Sequence, residues 1–189
     1  MGTAICYQRP GQRWTIYEID PLVTRIAQDT RFFNYLADCM DDARMEIVHG
    51  DARLSLQGAE DGQFDLLILD AFSSNAVPVH LLTREAMALY FEKLSEDGIV
   101  MFHITNRHLD LVRVLSGLLD DAGLAGLHQG HRPGQEAGRW HLPSDWVAIG
   151  RTREALTFLS DDSRWTAIAT APDSVPWTDD FSNIVGAFK

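Results

Sequence analysis

Phe64-Asp65-Leu66-Leu67-Ile68-Leu69-Asp70 is the stretch on which the fold turns. A nearly continuous apolar run of this length, closed by an acid, is expected to be a strand buried on both faces. Such strands lie inside parallel sheets that carry helices on either side. Upstream, the breaker Arg9-Pro10-Gly11 precedes Trp14-Thr15-Ile16-Tyr17, a β-branched and aromatic run that predicts a strand. It ends in Glu18-Ile19-Asp20-Pro21, where Asp20 is placed to cap a helix that has Pro21 in its first turn. Leu22, Val23, Ile26 and Ala27 then recur at helical spacing, and Phe32, Phe33, Tyr35 and Leu36 predict a further short helix. Met45-Glu46-Ile47-Val48-His49 is a second strand ending at Gly50-Asp51, with helical turns over 52–57.

Downstream of Asp70 a loop over 71–78 is followed by a helix over 83–94, with Thr83 as its cap. A turn at Asp97-Gly98 leads to a strand over 99–104 and an amphipathic helix over 110–122. Residues 130–142, rich in Gly and polar side chains, are expected to form a loop or a lid. A strand over 146–150, a helix over 152–159 and a last strand over 184–188, expected to be antiparallel, complete the chain. Strands alternating with helices predict a Rossmann-like parallel α/β sheet flanked by helices. No repeat or linker divides the 189 residues, so a single domain over 1–189 is expected.

The chain carries 16 Lys plus Arg against 27 Asp plus Glu, a formal net charge of −11. That balance disfavours nucleic acid and anionic membrane surfaces as partners. Most acidic chains are acidic for solubility, but the sign also suits a cationic small molecule. No apolar run approaches the length of a membrane span, and no basic and apolar leader opens the chain, so a cytoplasmic protein is expected. Cys6 and Cys39 lack C-x-x-C spacing and are expected to be free thiols. Trp14, Trp146, Trp165 and Trp177 are expected in packing roles.

Ligands of an open parallel sheet bind beyond the carboxyl ends of its strands. Three strands here end in an acid at that edge: Glu18, Asp51 and Asp70. Glu18 suits the two hydroxyls of a ribose. Asp51 suits an exocyclic adenine amine, since a carboxylate only accepts; a plain helix cap is the equal alternative for it. Asp70 falls mid-sheet, where a reacting group would project. His103, with Thr105 and Asn106, ends another strand and either lines the pocket or packs.

Tyr17-Glu18-Ile19-Asp20-Pro21, Gly50-Asp51-Ala52-Arg53, the 64–74 stretch, Val77-Pro78-Val79-His80-Leu81-Leu82-Thr83 and Trp177-Thr178-Asp179-Asp180-Phe181 together resemble the spermidine synthase-like proteins. These have the fold of class I S-adenosylmethionine-dependent methyltransferases. The resemblance is nearest to the domain often fused to a membrane transporter-like region, and it runs from Gly2 to Phe188. It implies aminopropyl transfer from decarboxylated S-adenosylmethionine to an amine such as putrescine, with release of methylthioadenosine. By motif it implies that Gly2, Glu18, Ile19, Asp51 and Ala52 hold the donor and that Asp70 takes the reacting amine. His80, Asn75, Asp179 and Asp180 would face the substrate. His80 equally suits a cap or packing role, and the two Asp equally suit a brace in the last loop. No metal is implied, and a homodimer is plausible for the family.

Two departures from the pattern stand out. Asn75 occupies the place of a second acid, keeping an acceptor and losing a charge. The glycine-rich turn is reduced to Gly2-Thr3, and the central strand that should lead into it is missing, as is the small β-domain before it. The sequence is therefore expected to be truncated at the front relative to the family. Two alternative functions stand beside the first: methyl transfer from S-adenosylmethionine itself, and a non-catalytic binding module of the same fold.

Overall fold

In the computed structural model the chain divides into two compact units, Met1–Ala59 and Glu60–Lys189. Residues 3–40, 44–72, 77–134, 142–169 and 174–189 are described.

The first unit opens with a 3-10 helix, Thr3–Tyr7. Strand β1, Trp14–Glu18, runs parallel to β2, Met45–His49, with Glu18 opposite His49. Between them lie helices α1, Pro21–Gln28, and α2, Tyr35–Cys39; α3, Ala52–Gln57, follows β2. Asp20 caps α1 as its chemistry requires, its carboxylate accepting from the Leu22 N–H at 2.8 Å with Pro21 in the first turn. The core is small: Ile5, Ala27, Leu36 and Met45 are buried, with Trp14, Ile16 and Tyr35 packed against them. Cys6 and Cys39 are joined by a disulfide, which corrects the expectation of free thiols. A sequence separation of 33 gives no local sign of the contact; packing of the first turn on α2 brings the two together. Disulfides are uncommon in reducing compartments, so the cysteines lend no support to a cytoplasmic location.

The second unit holds a mixed sheet in the order β3-β4-β6-β5-β7. Its strands are β3, Phe64–Leu69; β4, Leu94–His103; β5, Ala125–His131; β6, Ser144–Gly150; and β7, Thr166–Ala167. β3 and β4 are parallel, joined through α4, Arg84–Lys93, and their register shifts between Phe64 and Leu66 before settling at Leu66 opposite Ile99. β6 lies antiparallel to both β4 and β5, and β7 antiparallel to β5. Thr83 caps α4, accepting from the Ala86 N–H, and Asp110 caps α5, Leu111–Ala122. Leu111, Val114, Leu115, Leu118 and Leu119 form the buried stripe of α5. Gly123 ends that helix in the left-handed region at φ 66°, where a side chain would be strained. Phe102, fully buried in β4, packs against Phe72 and Tyr90. Arg151 fixes the start of β4 by donating to the carbonyls of Phe91, Leu94, Ser95 and Glu96.

Four further expectations change. β3 is not buried on both faces: Leu66 and Ile68 are each 41% exposed, because among the described residues β3 pairs only with β4 and stands at the sheet edge. The 184–188 segment is a 3-10 turn, Val185–Ala187, with a single bridge from Leu109 to Phe188. β5, extending to His131, occupies the start of the expected 130–142 loop; residues 135–141 of that loop lie outside the described residues. The 152–159 helix is shorter, a 3-10 turn Glu154–Leu156 running into α6, Thr157–Ser160. Among the described residues no helix is long and apolar enough to cross a membrane.

Closing a loop of this length removes about 3–4 kcal/mol of unfolded-state entropy on the chain-entropy model. Cys6→Ser, or reductant, is therefore expected to lower the denaturant midpoint of the first unit, followed by fluorescence of its Trp14. An unchanged midpoint would show that the bond does not support this unit.

Candidate functional site

The parallel pairing of β1 and β2 places Glu18 and the Gly50-Asp51 turn at one carboxyl edge. The Gly50 N–H donates to the Glu18 carbonyl at 3.0 Å, fixing the turn to the strand end. Glu18 Oε1 accepts from the Asp20 N–H at 3.0 Å, which orients its carboxylate. Asp51 Oδ1 accepts from the Leu54 N–H at 3.0 Å, so the cap role is real. Ile19 is exposed and Ala52 half-buried beside these acids. His49 Nε2 lies 3.0 Å from the hydroxyl of buried Thr24, tying the end of β2 to α1. Gly2 lies outside the described residues.

Asp70 belongs to the second unit, at the carboxyl end of β3. Parallel pairing sets Leu69 opposite Phe102, so the next residues, Asp70 and His103, leave the sheet side by side. His103 Nδ1 is 2.6 Å from Asp70 Oδ1. The Asp70 side chain is 56% exposed and the ring of His103 26%, so the carboxylate is the outer member of the pair. On its other side His103 stacks on Trp146, its register partner in β6, with ring centroids 4.6 Å apart and planes 19° from parallel. Its Nε2 is 2.8 Å from Thr105 Oγ1, which accepts from the Asp145 N–H at 2.9 Å.

Asp145 is buried and holds two side-chain partners. Arg132 Nη2 donates to Oδ2 at 2.8 Å, and His128 Nε2 lies 3.3 Å from Oδ1. Burial pushes the Asp145 carboxyl up, but the Arg132 guanidinium and then His128 outweigh it, so the group sits below the usual carboxylate range.

Asp179 is held by Thr83 and Glu85. Thr83 Oγ1 donates to Asp179 Oδ1 at 2.7 Å, and the Asp179 N–H donates to Glu85 at 2.9 Å. It thus braces the 177–181 turn against the start of α4, where the Arg84 N–H also donates to the Trp177 carbonyl. Asp180 is exposed next to it, and His80 is exposed in the 3-10 turn Val79–Leu81. Asn75 lies outside the described residues. The sequence offers both a pocket and a packing role for His103 and only packing for Trp146; strand register brings His103 to Asp70 and Trp146 to His103.

A model of the spermine/spermidine synthase domain matches residues 8–116. Over 101 residues the chain is 31% identical to a polyamine aminopropyltransferase of Vibrio vulnificus (strain CMCP6), an overlap covering 52% of this chain and 32% of that longer protein. A probable spermidine synthase from Corynebacterium glutamicum ATCC 13032 superposes with a TM-score of 0.61 at 18% identity, covering 92% of this chain and 66% of the other. Spermidine synthase from Thermotoga maritima superposes at 0.56 and 17% identity, covering 77% of this chain and 48% of the other. The superpositions speak to the fold.

Because the Asp145 carboxyl is held below its ordinary value, it contributes stability that is present above the usual carboxylate range and lost as pH falls through the depressed value. Thermal melting of the second unit is expected to fall as pH drops below about 4. In Asp145→Asn that slope should flatten while the melting temperature near neutrality drops. An unaltered acid slope would remove the ion-pair assignment.

Proposed function

The chain belongs to the spermine/spermidine synthase family, and from that premise we propose that it transfers an aminopropyl group. The donor is decarboxylated S-adenosylmethionine, and the acceptor is an amine such as putrescine; methylthioadenosine is the product that leaves. The observation that carries the reading is Asp70: an outward carboxylate at a strand end, capping no helix and oriented by a histidine.

The chemistry suits a carboxylate there. An alkylammonium group has no lone pair and cannot attack. One of its N–H protons passes to Asp70 Oδ2, and the freed lone pair forms the new N–C bond. The C–S bond breaks as that bond forms, its electrons neutralising the sulfonium. Positioning and charge supply the rate, since a sulfonium is already a good leaving group. Glu18, oriented by the Asp20 N–H, accepts from the donor's ribose hydroxyls. Asp51 and Ala52 take the adenine, with Gly2 and Ile19 beside them. By the family motif His80, Asp179 and Asp180 are assigned to the amine, and so is Asn75, an amide in place of a second charge. Loss of that charge is expected to weaken the hold on a diamine's distal ammonium or to shift the choice of acceptor amine. The net charge of −11 is compatible with a cationic donor and acceptor.

Methylthioadenosine release from decarboxylated S-adenosylmethionine, measured over a panel of amines, tests this directly. Asp70→Asn is expected to lower turnover by roughly 10²–10⁴-fold, the usual scale of a lost proton acceptor. Full activity in that variant would remove Asp70 from the mechanism. Turnover with S-adenosylmethionine alone would replace aminopropyl by methyl transfer.

A further inference from the structure

His103 is held from three directions. Asp70 Oδ1 is 2.6 Å from Nδ1, Thr105 Oγ1 is 2.8 Å from Nε2, and the indole of Trp146 covers one face of the ring. Side chains restrained on this many sides are costly to order unless the order is used, because each held rotamer costs entropy. The hydrogen bonds also fix the ring's chemistry. A carboxylate only accepts, so the nitrogen facing Asp70 must carry a hydrogen. A neutral ring has one N–H, which leaves Nε2 as an acceptor. Thr105 meets that need. Its oxygen already accepts the Asp145 N–H, and its one hydroxyl hydrogen is available to donate to Nε2, 2.8 Å away. Asp145 is itself anchored by Arg132 and His128, so the chain of contacts ends in a buried, paired charge.

We propose that His103 is a positioning residue for Asp70: the neutral Nδ1–H tautomer, set by Thr105 and the Trp146 stack, donates to Asp70 Oδ1 and turns Oδ2 toward the attacking amine. The inference rests on the aminopropyl-transfer reading for its catalytic consequence. The tautomer assignment is drawn from the contacts at Nδ1 and Nε2 and does not depend on that reading. In this tautomer His103 takes no proton from Asp70, because Nδ1 is already protonated. It acts by direction and by stabilising the carboxylate. A relay would require the opposite tautomer, with Nε2–H donating to Thr105.

Two measurements separate these. In the full chain, ¹⁵N spectra of the histidine rings, assigned with His103→Asn, report which nitrogen of His103 bears hydrogen. Protonated Nδ1 with bare Nε2 is expected; protonated Nε2 with bare Nδ1 would overturn the proposal whether or not the chain turns over any amine. The second is kinetic. Losing a hydrogen bond to a charged group is worth roughly 10–100-fold, so His103→Ala is expected to lower kcat on that scale with a smaller change in KM. His103→Asn, whose amide N–H sits where Nδ1–H does, is expected to restore most of kcat. Equal losses in Ala and Asn, or no loss in either, would overturn the positioning role. If the wild-type chain releases no methylthioadenosine while the ring shows the Nδ1–H tautomer, the functional reading falls and the hydrogen-bond assignment stands.

Discussion

The parallel pairing of β3 with β4, in the register that sets Leu69 opposite Phe102, is the constraint on which the second unit's chemistry depends. Parallel strands present their carboxyl ends at one edge, so the residue after each apolar run emerges beside its neighbour. Asp70 and His103 are 33 residues apart in sequence and 2.6 Å apart in space for that reason alone. The antiparallel β6 then delivers Trp146 opposite His103, and Asp145 one residue earlier. Beneath this edge the sheet is anchored by Phe102, Val100, Val147 and Ile149, all fully buried. A slip of one residue between β3 and β4 would turn Phe102 out and break the Asp70–His103 pair together.

Acids at strand ends do different work in this chain, and their hydrogen bonds tell them apart. Asp20, Asp51 and Asp110 cap helices, as short acidic side chains do wherever backbone N–H groups lack partners. Asp179 ties a turn to the start of α4. Among the described residues Asp70 caps no helix, and its contact there is a side chain that stacks and is itself held. Glu18 lies between these cases, oriented by one backbone N–H at the end of its strand. An acid oriented by its neighbours yet turned outward is available to a ligand, whereas a capping acid spends at least one oxygen on the backbone.

Much of this was legible locally. The caps at Asp20 and Thr83 act within four residues, so spacing reveals them. The run ending in Asp70 and the strand ending in His103 were visible as apolar stretches. What was hidden depends on distant partners. β5 is Ala-Gly-Leu-His-Gln-Gly-His, with little intrinsic β preference, and it is a strand because β6 pairs along its whole length. The disulfide required knowing that the first 3-10 turn packs on α2. Val185–Ala187 looked like a strand from its apolar residues, but only Phe188 finds a bridge partner, at Leu109. Trp146 looked like packing, and only the β4–β6 register shows that what it packs on is His103.

Isothermal titration of the whole chain with methylthioadenosine, wild type against Glu18→Gln, probes the central claim that these strand-end carboxylates hold an adenosyl-bearing donor. Saturable binding by the wild type is expected, weakened by about tenfold or more in the variant, or about 1.4 kcal/mol. No detectable binding by the wild type, or equal affinity in both proteins, would contradict it.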